Sequence, residues 1–343
     1  MNSLKTLLTV GLVALPFQAL SMDEPSGCDA GEKELKFSIV TSVHGHTKGE
    51  AALALAASLN EQLDGEYCMK VYGSSELYPD DQTLFDAMQR GEIHFAAPSL
   101  SKLLSMSEKF ALFDLPFLFD GPLHALEFIN SDAAFGILGD LEDDGFKGLS
   151  FWTNGMRHFS ATVPMRAPTD ASGMTFRVQS SSEITLAMLD RMEVEGQRLA
   201  FKDVYDNLAN GTVQGQQNTW SNIETKSFYT VQAATTETSH TYLGYAVIVT
   251  QDFLDGLDAE TRQIITDTVS LVTHERNRFA FELNQMSRQN ILEDEGIILT
   301  LNDAERQAWR DAFAPIIAQF KPQIGAELVD EAIRINAETR PFD

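Results

Sequence analysis

The sequence predicts an α/β chain folded as two lobes, and three observations predict it. Apolar strand-like runs alternate with helix-like runs, which implies parallel pairing. The same grammar occurs twice: "DAMQRGEIHFAAPS" and "DNLANGTVQGQQNT" each run helix, glycine, short strand, small polar residues. A chain of 343 residues also has a length prior of roughly two domains.

The first segment stands apart from the fold. Residues 1–21, "MNSLKTLLTVGLVALPFQALS", carry one early lysine, an apolar run broken by Pro16, and small residues at Ala19 and Ser21. This is the layout of a secretory signal peptide, and its apolar core is too short to span a membrane. Pro25 stands where a lipobox ahead of Cys28 would want leucine, so a lipid anchor is not expected. Nothing later approaches the ~18 consecutive apolar residues of a spanning helix. The chain is expected to be exported and to work in water, with no insertion into the membrane.

"LKFSIVTS" reads as the first strand, "HTKGEAALALAASLNEQLDG" as a helix stopping at Gly65, and "EYCMKVYGSSEL" as the second strand. "DDQTLFDAMQRG" has acidic residues in its first turn and Gly91 at its end, which are helix start and stop signals. It leads into the apolar strand "EIHFAAPS". "RHFSATVP" and "MTFRVQS" read as strands, "SEITLAMLDRM" and "FKDVYDNLANG" as helices, the latter stopping at Gly211. After "YAVIVTQDFLDGLDAE" the pattern is mostly helical, with a long run from about 259 to 292. Cys28 precedes the first strand and Cys68 opens the second. Parallel neighbours would bring the two together, so a disulfide is expected, with two unpaired buried thiols as the alternative.

The formal charge of -25 argues against nucleic acid and acidic lipid surfaces as partners. An anion ligand would need positive charge concentrated at one site, and screening over about 8 Å lets two arginines in a cleft outweigh a distant acidic surface. Ligands of open α/β sheets sit beyond the carboxyl ends of the strands. Ser99, Arg177 and Asn218 fall at such ends, and Arg157 in "WTNGMRHFS" stands at an expected strand start. Guanidinium offers a planar fork that fits a carboxylate. An internal ion pair with Asp or Glu would also explain Arg177. Lys48 lies in the first turn of a helix, where anions are favoured; a solvated lysine is the plain alternative. Asn218 could serve a ligand or its own turn, and Trp220 a ligand wall or the core. His240 fits a site or a structural hydrogen bond. His44 and His46 form a His-x-His with no third ligand, which is weak ground for a metal. The sequence holds no nucleophile elbow, His-Glu-x-x-His, Walker loop or dinucleotide fingerprint, so no catalytic residue, metal or cofactor is expected.

In order along the chain, "KFSIVTS", "HTKGE", "VYGSSELY", "APSLSKL", "FALFDLPFLFD", "FWTNGMRHFSA", "FRVQSS", "FKDVYDNLANG", "GQQNTWSNIETKSFYTVQ" and "TETSH" resemble the solute-binding proteins of tripartite ATP-independent periplasmic (TRAP) transporters. The likeness is to the dicarboxylate-binding branch called DctP, over roughly residues 34 to 275. The resemblance implies a two-lobed periplasmic solute-binding fold with mixed and parallel sheets, hinge strands and long helices crossing between lobes. It implies lobe I over 33–154 plus 244–283 and lobe II over 155–243 plus 284–338. It further implies capture of a small dicarboxylate such as malate, succinate or fumarate and its delivery to membrane permease subunits, without catalysis. The family's carboxylate-clamping arginine matches Arg177, its second cation Arg157, and its strand-end asparagine Asn218. Lys48, Ser99, Asn154 and Trp220 match positions lining the site, with His240 nearby. A sugar acid or other monocarboxylate is the alternative ligand, a carboxylate sensor subunit the alternative role, and a secreted enzyme the reading from a third class. Two departures stand out. The family's Asp-Gly-Gln-Glu-Asn is Gln214 to Asn218 here, with two acids become amides, and the asparagine before the late histidine is Ser239. The second is expected to alter how the distal end of the ligand is held.

Overall fold

The computed structural model describes residues 28–63, 65–179 and 182–340, so the expected signal peptide lies outside the described residues. The first half of the sheet comes from β1 (Lys33–Ser38), α1 (Thr47–Gln62), β2 (Tyr67–Tyr72), α2 (Asp81–Gln89) and β3 (Phe95–Ala96). After α3 (Pro122–Ile129) and α4 (Asp132–Gly139), the long β4 (Phe146–Ala161) leads to the second half. This contains β5 (Thr175–Val178), α5 (Glu183–Arg191), β6 (Glu195–Arg198), α6 (Val204–Ala209), β7 (Gly215–Asn218) and α7 (Trp220–Thr225). The chain returns through β8 (Ala234–Thr250), α8 (Gln251–Asp255) and α9 (Ala259–Glu293), and ends with β9 (Ile298–Leu299), α10 (Asp303–Ile324) and α11 (Ala326–Glu338).

The repeated sequence grammar becomes a repeated sheet. The strand order is β2-β1-β3-β8-β4-β7-β5-β6, with β9 beside β8. β1 pairs in parallel with β2 and β3, and β5 in parallel with β6 and β7. Each parallel trio abuts one long strand running the other way: β3 lies on β8, and β7 on β4. The α2 and α6 helices are each followed by a left-handed glycine, Gly91 at φ 74° and Gly211 at φ 78°, the stop that the sequence signals. The α9 helix, expected from about 259 to 292, spans Ala259–Glu293 and packs on both α1 and α7, so it bridges the halves.

Two features differ from the sequence expectation. The strands form one continuous sheet, because β4 and β8, of 16 and 17 residues, run through both halves as an antiparallel pair. Arg157 therefore lies in the middle of β4 and not at a strand start. The sequence hides this because β4 is bulged at Gly148/Ser150, Thr153/Gly155 and Arg157/Phe159, which breaks the two-residue period by which a strand is read. Its last twelve residues are buried on both faces.

Local packing explains two short motifs. In "HTKGE", Gly49 lies so close to Val43 that a Cβ would stand 2.0 Å from its carbonyl oxygen, so only glycine lets α1 sit this near the β1 exit. Cys28 and Cys68 are joined by a disulfide with Cα atoms 5.4 Å apart, tying the chain to the start of β2. Cross-linking residues 40 apart is worth about 4 kcal/mol in the chain-entropy model.

Ser239 has φ 47°, a left-handed conformation inside β8, and its N–H donates to His158 Nδ1 at 3.3 Å. Asparagine tolerates this region better than serine does. The departure from the family's asparagine therefore concerns backbone strain. Ser239→Asn is expected to stabilise the protein by about 0.5–1 kcal/mol, read as a rise of about 1–4 °C in the thermal midpoint; an unchanged or lower midpoint would contradict this account.

Candidate functional site

The carboxyl ends of β1, β3, β5 and β7 converge on one cleft between the halves of the sheet. Val40 and Thr41 follow β1, Ser99 follows β3, Arg177 and Gln179 come from the end of β5, and Asn218 ends β7. Lys48 from the first turn of α1, Asp81 from α2, Lys102, Phe201, Asn222 of α7 and Tyr245 of β8 complete most of the wall. The water-sized space inside this partly open cleft is small, about 40 Å³, where a single water takes roughly 10–15 Å³ in the same measure. It suits a compact ligand.

The charges in this wall are unevenly matched. Arg177 is 4 % exposed; its Nε donates to the Leu199 carbonyl at 3.2 Å, and its guanidinium lies 5.9 Å from the Phe201 ring centre. Lys48 is 2 % exposed; its Nζ donates to the Ala97 carbonyl at 2.9 Å and sits 4.3 Å from the Tyr245 ring centre. Among the described residues neither has a carboxylate within 4 Å. Lys102 does, facing Asp81 at 3.8 Å. Burial, with Arg157 adding to it and Asp81 opposing it, pushes the Arg177 pKa below the usual arginine range, though guanidinium keeps its charge. Burial pushes Lys48 down to about 8, with Asp81 acting the other way and Lys102 adding to the fall. Two buried cations thus share one small space, and among the described residues its nearest carboxylate pairing goes to Lys102 and not to either of them.

Four of the eight residues singled out from the sequence line this cleft: Lys48, Ser99, Arg177 and Asn218. The other four do not line it. Arg157 is committed to the buried Asp114 at 3.1 Å, with further bonds to Thr241 at 3.2 Å and Ser101 at 3.3 Å. Asn154 donates to the Tyr245 hydroxyl at 2.7 Å and so braces the ring that faces Lys48. Trp220 stacks on His158 at 4.2 Å and lines a separate cavity, together with Asn154 and Ser239. His240 lies flat on Phe159 at 3.9 Å, bonded to Thr238 and to Gln217 Oε1 at 2.6 Å. The amide at 217 is thus the partner of His240, and Ser239 lies outside the cleft.

Sequence reasoning missed Asp81, Lys102, Phe201, Asn222 and Tyr245. "DDQTLF" was legible only as a helix start, and Lys102 and Asn222 sat inside quoted motifs without a distinguishing pattern. The His-x-His pair diverges: His44 is exposed, while His46 is buried as the N-cap of α1.

Three comparisons bear on this geometry. A family model described as "Bacterial extracellular solute-binding protein, family 7" matches residues 37–323. The C4-dicarboxylate-binding periplasmic protein DctP of Vibrio cholerae is 37% identical over 331 residues, 96% of this chain and 98% of that protein. A TRAP periplasmic solute-binding protein of Shewanella oneidensis with bound succinate superposes with a TM-score of 0.85 at 33% identity, covering 88% of this chain and 99% of that one. One from Pseudomonas aeruginosa with bound L-malate gives 0.80 at 32% identity, covering 83% and 99%.

Three buried histidines give the site region a pH signature. Burial pushes His46 and His158 from 6.5 to about 3, and His240 well below 6.5. Folded-state values below the unfolded one mean that the unfolded chain binds more protons as pH falls. The stability is fully present above pH 6.5 and is lost toward about 3. Between about pH 6.5 and 5, above the range where ordinary carboxylates titrate, urea unfolding should show a loss of up to about 1.4 kcal/mol per pH unit for each histidine. A flat profile across that window would mean that these histidines are not held neutral.

Proposed function

The chain belongs to the bacterial extracellular solute-binding protein family 7, and on that premise we propose that its cleft closes on a small dicarboxylate of the succinate, malate or fumarate class. It is the solute-binding subunit of a TRAP transporter, works with membrane permease subunits outside the cytoplasm, and makes or breaks no covalent bond. No described helix is long and apolar enough to cross a membrane. Residues 1–21 would be the export signal, and the lobes would be 33–154 plus 244–283 and 155–243 plus 284–338.

The observation that carries this reading is the pair of buried cations, Arg177 and Lys48, that face one small cleft with no described carboxylate within 4 Å of either. In this reading Arg177 holds one carboxylate through its planar fork and Asn218 adds a hydrogen bond at that end. Lys48, with Ser99, holds the other. Arg157, Asn154, Trp220 and His240 act indirectly, keeping Asp114, Tyr245 and the β4–β8 floor in place. A ligand with one carboxylate, such as a uronate, would satisfy Arg177 and leave Lys48 without its anion. Because the cleft draws residues from both halves of the sheet, a ligand touching both binds the closed arrangement better and shifts the population toward it.

Calorimetric titration of the mature protein should therefore show binding of four-carbon diacids and much weaker binding of butyrate, lactate and glucuronate. Arg177→Ala, which leaves one partner of a buried charge pair alone, should cost about 3–5 kcal/mol, or a hundredfold and more in affinity. Arg177→Lys should also bind poorly, since an ammonium lacks the fork. Lys48→Met should bring succinate down toward butyrate. Tight binding of a uronate, or an Arg177→Ala variant with wild-type affinity, would overturn the proposal.

A further inference from the structure

A chain of buried hydrogen bonds leads from the start of α1 to the cleft-lining amide of Asn218, and its polarity is fixed at its first link. The backbone N–H of Lys48 can only donate, and it donates to His46 Nδ1 at 3.1 Å. The His46 proton therefore sits on Nε2, which faces Asn222 Oδ1 at 2.7 Å. That makes the Asn222 oxygen the acceptor and turns its amide nitrogen toward Asn218 Oδ1, at 2.6 Å. Asn218 Nδ2 in turn donates to Gln216 Oε1 at 2.8 Å, and Gln216 Nε2 to Ser160 Oγ at 2.7 Å. Flipping the Asn218 amide alone would set nitrogen against nitrogen at one contact and oxygen against oxygen at the next.

We infer that His46 is a positioning residue for ligand recognition: through Asn222 it consumes the Asn218 carbonyl oxygen and leaves an amide N–H of Asn218 as the group offered to the cleft. An amide nitrogen carries two hydrogens, and only one of those on Asn218 is used by Gln216. A carboxylate accepts and never donates, so a cleft that presents an N–H accepts it, and one that presents the carbonyl oxygen repels it. His46 touches no ligand in this scheme. Its burial, beside Lys48 and Lys226, keeps it neutral, as the relay needs. The inference rests on the dicarboxylate reading above, because Asn218 is assigned to the ligand there.

A double-mutant cycle on the full mature protein tests it, with succinate as the probe and calorimetry as the readout. His46→Asn keeps a good N-cap for α1 but is too short to reach Asn222. It should weaken succinate binding about tenfold in the wild-type background and by less than about threefold in an Asn218→Ala background. The thermal midpoint of the ligand-free protein should stay within a few degrees. Asn222→Ala cuts the relay one link later and should reproduce the same coupling if His46→Asn folds poorly. Equal losses in both backgrounds, or no loss in the wild-type background, would overturn the positioning role while leaving the ligand assignment standing. Failure of the wild-type protein to bind succinate would overturn the ligand assignment and this inference with it.

Discussion

The site is organised around a guanidinium that the fold buries with no described carboxylate paired to it. Removing a charge from water without a partner is among the most expensive things a protein interior can do, and elsewhere this chain avoids it. Arg157, equally buried, has Asp114 at 3.1 Å, and Lys102 has Asp81 at 3.8 Å. Among the described residues, Arg177 and Lys48 each have a carbonyl and an aromatic face but no carboxylate within 4 Å. The difference lies within one region of one molecule, so it is a property of the cleft and not of a generally permissive interior. The overall charge of -25 sharpens the point: carboxylates are abundant, yet Asp81 in the cleft wall faces Lys102, and no described carboxylate pairs with Arg177 or Lys48 within 4 Å.

The sheet makes such a cleft possible. Two parallel trios turn their carboxyl ends toward a common space, and the antiparallel β4–β8 pair runs beneath both as a shared floor. Strand ends are where backbone groups lose their ladder partners, so polar side chains there can address a ligand. Each half contributes a cation: Lys48 from α1 and Arg177 from β5. A dianion bridging them would give each cation the paired carboxylate it lacks, which is the differential affinity that closure requires. The small volume of the cleft acts with the charges, since a compact diacid can reach both poles at once.

Much of this was legible in the sequence because it is written in local chemistry. The helix–glycine–strand repeat marked α2 with β3 and α6 with β7, since a left-handed residue after a helix favours glycine. The α9 helix was legible from its apolar period. Arg177 stood out because a charge inside an apolar strand demands an explanation. What escaped notice depends on long-range pairing. Asp114 is 43 positions from Arg157, and nothing in "LFDLPF" marks its carboxylate as that arginine's partner. Bulges erased the period of β4, so Arg157 was displaced to a strand start. His46 resembled half of a metal pair, yet its role follows from a backbone N–H two residues on and an asparagine 176 positions away. Trp220 matches a site position by resemblance, but it packs on His158 and does not line the cleft.

The most direct test of the central claim is a crystal structure of the mature protein with succinate bound. The account predicts one ligand in the cleft, with one carboxylate forked onto Arg177 and the other within about 3 Å of Lys48 Nζ. A succinate with both carboxylates on one pole, or seated away from Arg177, would contradict it.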